Sequence, residues 1–181
     1  MIRNIVPAVA FFLMLLPAAA AQAPARKLPQ TAPARPAADA RTAITAAYHR
    51  LEQAIVARDL DAFMRPFWHS PTLVVFDVVP PLQYTGWEAV RKDASEFFAS
   101  LAGPITFEIR DLHIETDGTM AYARYLAHVA GRDARTGQPV DQLLRVSDVW
   151  RQRDGRWVIV HEHASVPVDL ETGKAIWHAQ P

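Results

Sequence analysis

The chain has 181 residues, 50% of them hydrophobic, with 19 lysines and arginines against 19 aspartates and glutamates, 14 prolines and no cysteine. That composition suits one soluble globular domain with an attached tail. A net charge of zero with no long run of one sign excludes a field built to hold nucleic acid or an anionic membrane surface. Without cysteine there is no disulfide, thiolate metal site or thiol nucleophile, so any chemistry falls to His, Asp, Glu, Tyr, Ser or Arg.

Residues 1–21 read as a secretory signal: Arg3, an apolar run over 5–16, then Pro17 and the alanines at 18–21. The run is shorter than the ~20 apolar residues needed to span a bilayer, which sets aside the other reading, an uncleaved anchor. Cleavage after Ala21 is expected to leave an exported protein, periplasmic or secreted, with no membrane attachment. Residues 22–40 carry Pro24, Pro29, Pro33 and Pro36 among alanines, offer little to bury, and read as a flexible spacer. The folded unit is expected over 41–181.

Within it, Ile44, Ala47, Tyr48, Leu51 and Ile55 recur at steps of three and four, predicting a helix over 41–58 with one buried face. Asp59 is placed to cap a short second helix whose apolar side is Leu60, Phe63, Met64 and Phe67. The β-branched stretch 72–79 predicts a strand that stops at Pro80-Pro81. A third helix follows Thr85-Gly86, with Trp87, Val90, Ala94, Phe97 and Phe98 as its stripe. Four extended segments, 104–115, 119–130, 140–153 and 156–166, are separated by Asp117-Gly118, by 135–139 and by Asp154-Gly155. Helices first and antiparallel hairpins afterwards predict an α+β fold with the helices on one face of a curved sheet.

The stretch Asp148-Val149-Trp150-Arg151-Gln152-Arg153-Asp154-Gly155-Arg156-Trp157, with Val160-His161-Glu162-His163-Ala164-Ser165-Val166-Pro167 after it, resembles the SnoaL-like branch of the nuclear transport factor 2-like superfamily. Ala121-Tyr122-Ala123-Arg124 is similar to a segment of the calmodulin-dependent kinase association domain of the same superfamily. The resemblance implies a cone: three helices closing a bent, mainly antiparallel sheet around a pocket. It is weaker for activity, because the superfamily mixes isomerases, dehydratases, cyclases and binding domains.

Asp77 follows Leu73-Val74-Val75-Phe76, and Gly86 lies nine residues further on. This spacing is similar to that of ketosteroid isomerases, which implies that Asp77 is a general base. A carboxylate at the edge of an apolar cavity suits removal of a proton beside a carbonyl, since partial desolvation raises its basicity. The alternative is a turn aspartate holding backbone amides. Asp148 shares a strand face with Val146 and Trp150, so apolar company is expected. The resemblance implies the protonated acid of an oxyanion hole for it; an ionised Asp148 paired with Arg124 or Arg145 is the alternative. The isomerase tyrosine carries over onto Leu51, and Tyr48, one turn earlier on the same face, is the substitute candidate.

On the last strand the resemblance assigns Val158, Val160, Glu162 and Ala164 to the cavity, which places Glu162 near Asp148 and Arg124. Trp150 accompanies Asp148, and Trp68 and Tyr84 flank the first strand as an aromatic rim or as core. His161 and His163 project together and form a weak metal pair without a fixed third ligand, with His128 or His113 as remote additions; no metal and no other cofactor is expected. Ser165 lies in no nucleophile elbow, and no Walker loop or dinucleotide fingerprint occurs. The expected function is binding of a small, mostly apolar molecule, with cofactor-free isomerisation or a related proton transfer by Asp77, Asp148 and Tyr48. The alternative is a non-catalytic binding or oligomerisation domain with Arg124, Asp148 and Glu162 as an ionic lock. A homodimer through the outer sheet face is expected in either case.

Overall fold

The computed structural model describes residues 37–178, so the expected signal and the spacer up to residue 36 lie outside the described residues. Three helices, α1 (Ala37–Ala57), α2 (Leu60–Met64) and α3 (Trp87–Ser100), accompany six strands: β1 (Val74–Phe76), β2 (Tyr84–Thr85), β3 (Leu101–Thr116), β4 (Met120–Asp133), β5 (Pro139–Arg153) and β6 (Arg156–Ser165). They form one curved, unclosed sheet in the order β2-β1-β6-β5-β4-β3, the expected α+β cone. Every pairing is antiparallel except that of β1 with β6.

Helix α1 buries Ile44, Ala47, Tyr48, Leu51 and Ile55, the stripe that its periodicity predicts. It begins four residues earlier than expected. Residues 37–40 are helical rather than spacer, because Ala40 fits completely into the core and alanine is the best helix former. Asp59 caps α2 by accepting from the Ala62 amide at 2.9 Å. Glu52 ties α1 to β3 by accepting from the Ile109 amide at 2.7 Å. Helix α3 buries Val90, Ala94 and Phe98. Its cap, Gly86, has φ 89°, a backbone conformation that favours glycine.

Strand β1 is shorter than expected. Asp77 Oδ1 accepts the Val78 amide at 2.6 Å, and the chain leaves the ladder there, three residues before Pro80. Asp154 (φ 50°) and Gly155 (φ 74°) form the tight turn of the last hairpin. In β6, Val149 pairs with His161 but Trp150 pairs with Ile159, so Val160 is an extra residue. The bulge flips the side-chain alternation, and Ile159 rather than Val160 lies opposite Trp150, completely buried. The chain then folds back along the sheet, the Leu143 amide donating to the Trp177 carbonyl at 2.8 Å.

Candidate active site in the cone

The cone encloses a cavity of about 470 Å³. Leu51 and Ile55 of α1, Phe63 of α2, and Val90, Ala94 and Phe97 of α3 line one side; Phe107, Tyr125, Leu144, Val146 and Ala164 form the sheet wall, and Trp177 closes an edge. Into this apolar lining project Asp77, Asp93, Glu96, Asp133 and Glu162, with Tyr84 beside the first two.

Below the cavity lies a knot of polar groups. Asp148 is fully buried; the Tyr48 hydroxyl donates to its Oδ2 at 2.6 Å, and Trp150 Nε1 donates to the Tyr48 oxygen at 2.8 Å. The Tyr48 ring meets Tyr125 and Trp150 edge-on, with centroids 5.1 and 5.2 Å away. Asp148 Oδ1 has no donor. In the ladder the residue opposite Asp148 is Glu162. Burial pushes both carboxyls up, the Asp148 charge pushing Glu162 further, and side-chain hydrogen bonding links the two. A proton on Glu162 supplies the hydrogen that Oδ1 lacks, so we assign the neutral form to Glu162. Tyr48 is pushed far up by burial and by Asp148, and it stays a neutral donor.

The second carboxyl pair is at the mouth. Burial raises Asp77, while the Val78 amide and Asp93 restrain the rise. Burial likewise raises Asp93, to about 6, with the charges of Asp77 and Glu96 adding to it and Tyr84 opposing. The Tyr84 hydroxyl donates to the Pro80 carbonyl at 2.9 Å. Asp93 therefore gives up its proton at about 6, just below neutral pH, beside an Asp77 carboxyl that burial also pushes up.

The expected site residues separate into three groups. Tyr48, Asp148, Trp150 and Glu162 come together, but only Glu162 reaches the cavity surface; Trp150 is fully buried behind it and lines nothing. Asp77 and Tyr84 meet at the mouth. Arg124 joins neither group: it pairs with Ser147 and is exposed on the outer sheet face, while its neighbour Ala123 lies opposite Asp148. The ionic lock of Arg124, Asp148 and Glu162 is therefore not formed, because strand alternation turns Tyr125 inward in its place. Trp68 is likewise away from the cavity, under the Arg153 guanidinium at 5.1 Å from the ring centroid. His161 Nδ1 lies 2.9 Å from the Val74 carbonyl, and both His161 and His163 pack edge-on against Phe76. Among the described residues no group of three His, Asp or Glu side chains is placed to hold a metal ion.

Asp93 and Tyr125 were not anticipated as site residues. Each carried a signal: Asp93 falls three residues after Val90 on the inward stripe of α3, and Tyr125 continues the small inward residues Ala121 and Ala123.

The cone of helices on a curved sheet is the nuclear transport factor 2-like fold. Residues 44–169 match the family model of the SnoaL-like domain, and the chain belongs to that family. A nuclear transport factor 2-like protein of unknown function from Pseudomonas putida is similar in structure, with 28% identity, 80% of this chain and 98% of that chain covered, and a TM-score of 0.71. A superfamily protein from Salmonella enterica has 22% identity, covers 77% and 99% of the two chains, and has a TM-score of 0.66. A ketosteroid isomerase-like protein from Erwinia carotovora has 17% identity, coverage of 68% and 93%, and a TM-score of 0.58, a likeness of fold alone. No curated protein sequence matches the chain.

Proposed function

We propose that this is an exported protein whose cone takes up a small, mostly apolar molecule and moves a proton on it without a cofactor. The observation that carries the reading is Asp77 at the mouth of an apolar cavity, its carboxyl pushed up by burial, with Glu162 on the floor pushed up by burial and by the Asp148 charge. Asp77 takes the proton from a carbon next to a carbonyl; the C–H electron pair becomes the C=C bond of the enolate, the carbonyl π pair moves onto oxygen, and negative charge develops there. With substrate bound, Glu162 turns its single hydrogen from Asp148 Oδ1 to that oxygen as it becomes an enolate, and a donor placed where the charge develops has most effect. Asp148, Tyr48 and Trp150 hold Glu162 from behind and do not touch the substrate. Returned to a different carbon, the proton makes the reaction an isomerisation.

In this reading the donor role expected for Asp148 and Tyr48 passes to Glu162, because neither lines the cavity. The test is exchange of the α-proton of an enolisable ketone in heavy water, followed by NMR. Asp77→Asn is expected to reduce it about 10²–10⁴-fold with unchanged circular dichroism. An unchanged rate removes Asp77 as the base and leaves a binding domain, the second reading, which the burial of Tyr48 and Asp148 away from the cavity favours. We further propose a homodimer through the outer sheet face, where Met120 and Tyr122 are exposed; a clean monomer in light scattering contradicts it.

A further inference from the structure

We infer that the protein has a second binding site outside the cone, in the groove between α1, α2 and the β5–β6 turn, and that it takes an oxyanion, a carboxylate or a phosphate monoester, on a compact apolar body. The inference does not depend on proton transfer in the cone.

The groove has a volume of about 520 Å³. Its apolar side is a row of alanines on one face of α1, Ala43, Ala47, Ala54 and Ala57, whose small side chains leave room for the body of a ligand. Its rim carries Arg50 of α1, Arg65 at the end of α2 and Arg156 at the start of β6, all three exposed. Asp59 is the one acid in the lining, and its carboxylate already accepts the Ala62 amide. Neighbouring arginines have partners: Arg91 pairs with Asp61 at 2.8 Å and lies over Trp87, Arg153 lies over the Trp68 ring, and Arg58 donates to the Phe98 and Gly103 carbonyls. Arg50, Arg65 and Arg156 have no ion pair among the described residues.

The second observation is a neutral donor. Trp157 lines the same groove and is 8% exposed, and its Nε1 hydrogen has no acceptor. The fold gives the other fully buried indole its acceptor, since Trp150 Nε1 donates to the Tyr48 oxygen at 2.8 Å. A buried N–H without a partner is costly, so the want of an acceptor at Trp157 belongs to this groove. The indole therefore favours a ligand that brings an acceptor, and the three guanidiniums favour one that is negatively charged. A carboxylate or a phosphate meets both conditions: one oxygen for the indole N–H, and the others for guanidinium forks that match paired oxygens. An ammonium ion has no acceptor and meets three like charges, and an alcohol supplies the acceptor without the charge.

The experiment titrates the full chain with benzoate, phenyl phosphate, benzyl alcohol and benzylamine by calorimetry, and follows the indole N–H resonances by NMR. Trp157→Phe identifies which of the five tryptophan signals belongs to Trp157. One or both anions are expected to bind about tenfold or more tightly than the alcohol, with the amine weakest, and to move the Trp157 signal downfield. Arg65→Gln and Arg156→Gln should each weaken the anion about threefold to tenfold without changing circular dichroism or alcohol binding. Arg124→Gln, which removes the same charge from the outer sheet face, should leave anion binding unchanged. Trp157→Phe keeps a ring and loses the N–H, and should weaken the anion about threefold or more; where it does not fold, the arginine variants carry the test. Equal binding of anions and alcohol, an unmoved Trp157 signal at saturation, an equal loss in Arg124→Gln and Arg65→Gln, or no binding of either anion overturns the site.

Discussion

Two carboxyl pairs occupy the same cone and differ in what surrounds them. At the floor, Asp148 and Glu162 sit in register on adjacent strands with Tyr48 and Trp150 locked around them. At the mouth, Asp77 and Asp93 come from a strand end and a helix, half-buried, with one backbone amide and Tyr84 as company. Burial raises acids in both, but the floor pair is fixed by rigid donors and the mouth pair is open to the cavity. The difference separates roles that sequence resemblance merged: a neutral acid that must stay in place belongs on the floor, and a carboxylate that must trade protons belongs at the mouth.

The sharpest test compares one isosteric change in each pair. Asp77→Asn is expected to lower proton exchange about 10²–10⁴-fold and hardly alter stability. Asp148→Asn keeps an acceptor for Tyr48, so its effect on exchange should be much smaller. If the two changes lower exchange equally, the division between floor and mouth is wrong.

Truncation reverses the ranking. Asp148→Ala leaves the Tyr48 hydroxyl and Glu162 without their partner in an apolar interior, and a loss of about 3–5 kcal/mol in denaturant unfolding is expected. Asp77→Ala at the half-buried mouth should cost about 1 kcal/mol or less. Comparable losses would show that the mouth pair is as structural as the floor pair.

The pH dependence of stability is the next, smaller effect. Folded Asp93 keeps its proton up to about 6, whereas in the unfolded chain it releases it near the ordinary 3.8. The folded state therefore binds more protons between these values, and stability falls as pH rises from about 4 to 6. Because the side chain is about half exposed to solvent, the effect is on the order of 1 kcal/mol rather than the full value of the shift. The raised Asp148 and Glu162 act in the same direction. Below that window, the lowered carboxyls of Asp117, Asp133 and Asp169, held by backbone and side-chain donors, reverse the trend. The midpoint of thermal unfolding should be higher at pH 5 than at pH 7, and Asp93→Asn should narrow the gap.

The helices, the hairpins and the family were legible because each rests on a local pattern: the stripe from Ile44 to Ile55, the cap at Asp59, the turn at Asp154-Gly155. The placement of Asp77 beside a cavity was legible from resemblance. What was not legible depends on registers between distant strands. The bulge at Val160 follows from how β6 meets both β5 and β1, and no residue type announces it. Asp93 was passed over because a charged residue on a helix usually faces solvent; only packing against β2 and the Asp77 side chain reveals otherwise.

Arg124 gives the smallest expected effect and the most direct check of strand register. It lies one position from Tyr125, and the two choices put opposite chemistry in the cone: a cation that would neutralise Asp148 and Glu162, or a neutral aromatic that leaves them to share protons. The ladder aligns Ala123 with Asp148 and Tyr125 with Val146, both inward and buried, so the guanidinium stands in solvent on the outer face. Arg124→Ala should then change stability by no more than about 0.5 kcal/mol and leave the fall in stability between pH 5 and pH 7 unaltered. Tyr125→Ala, by contrast, removes a buried ring from the cavity wall and should cost about 3–5 kcal/mol. An altered response of stability to pH in Arg124→Ala would mean that the arginine reaches the acids, and that the mouth and floor pairs are not as short of positive charge as the register makes them.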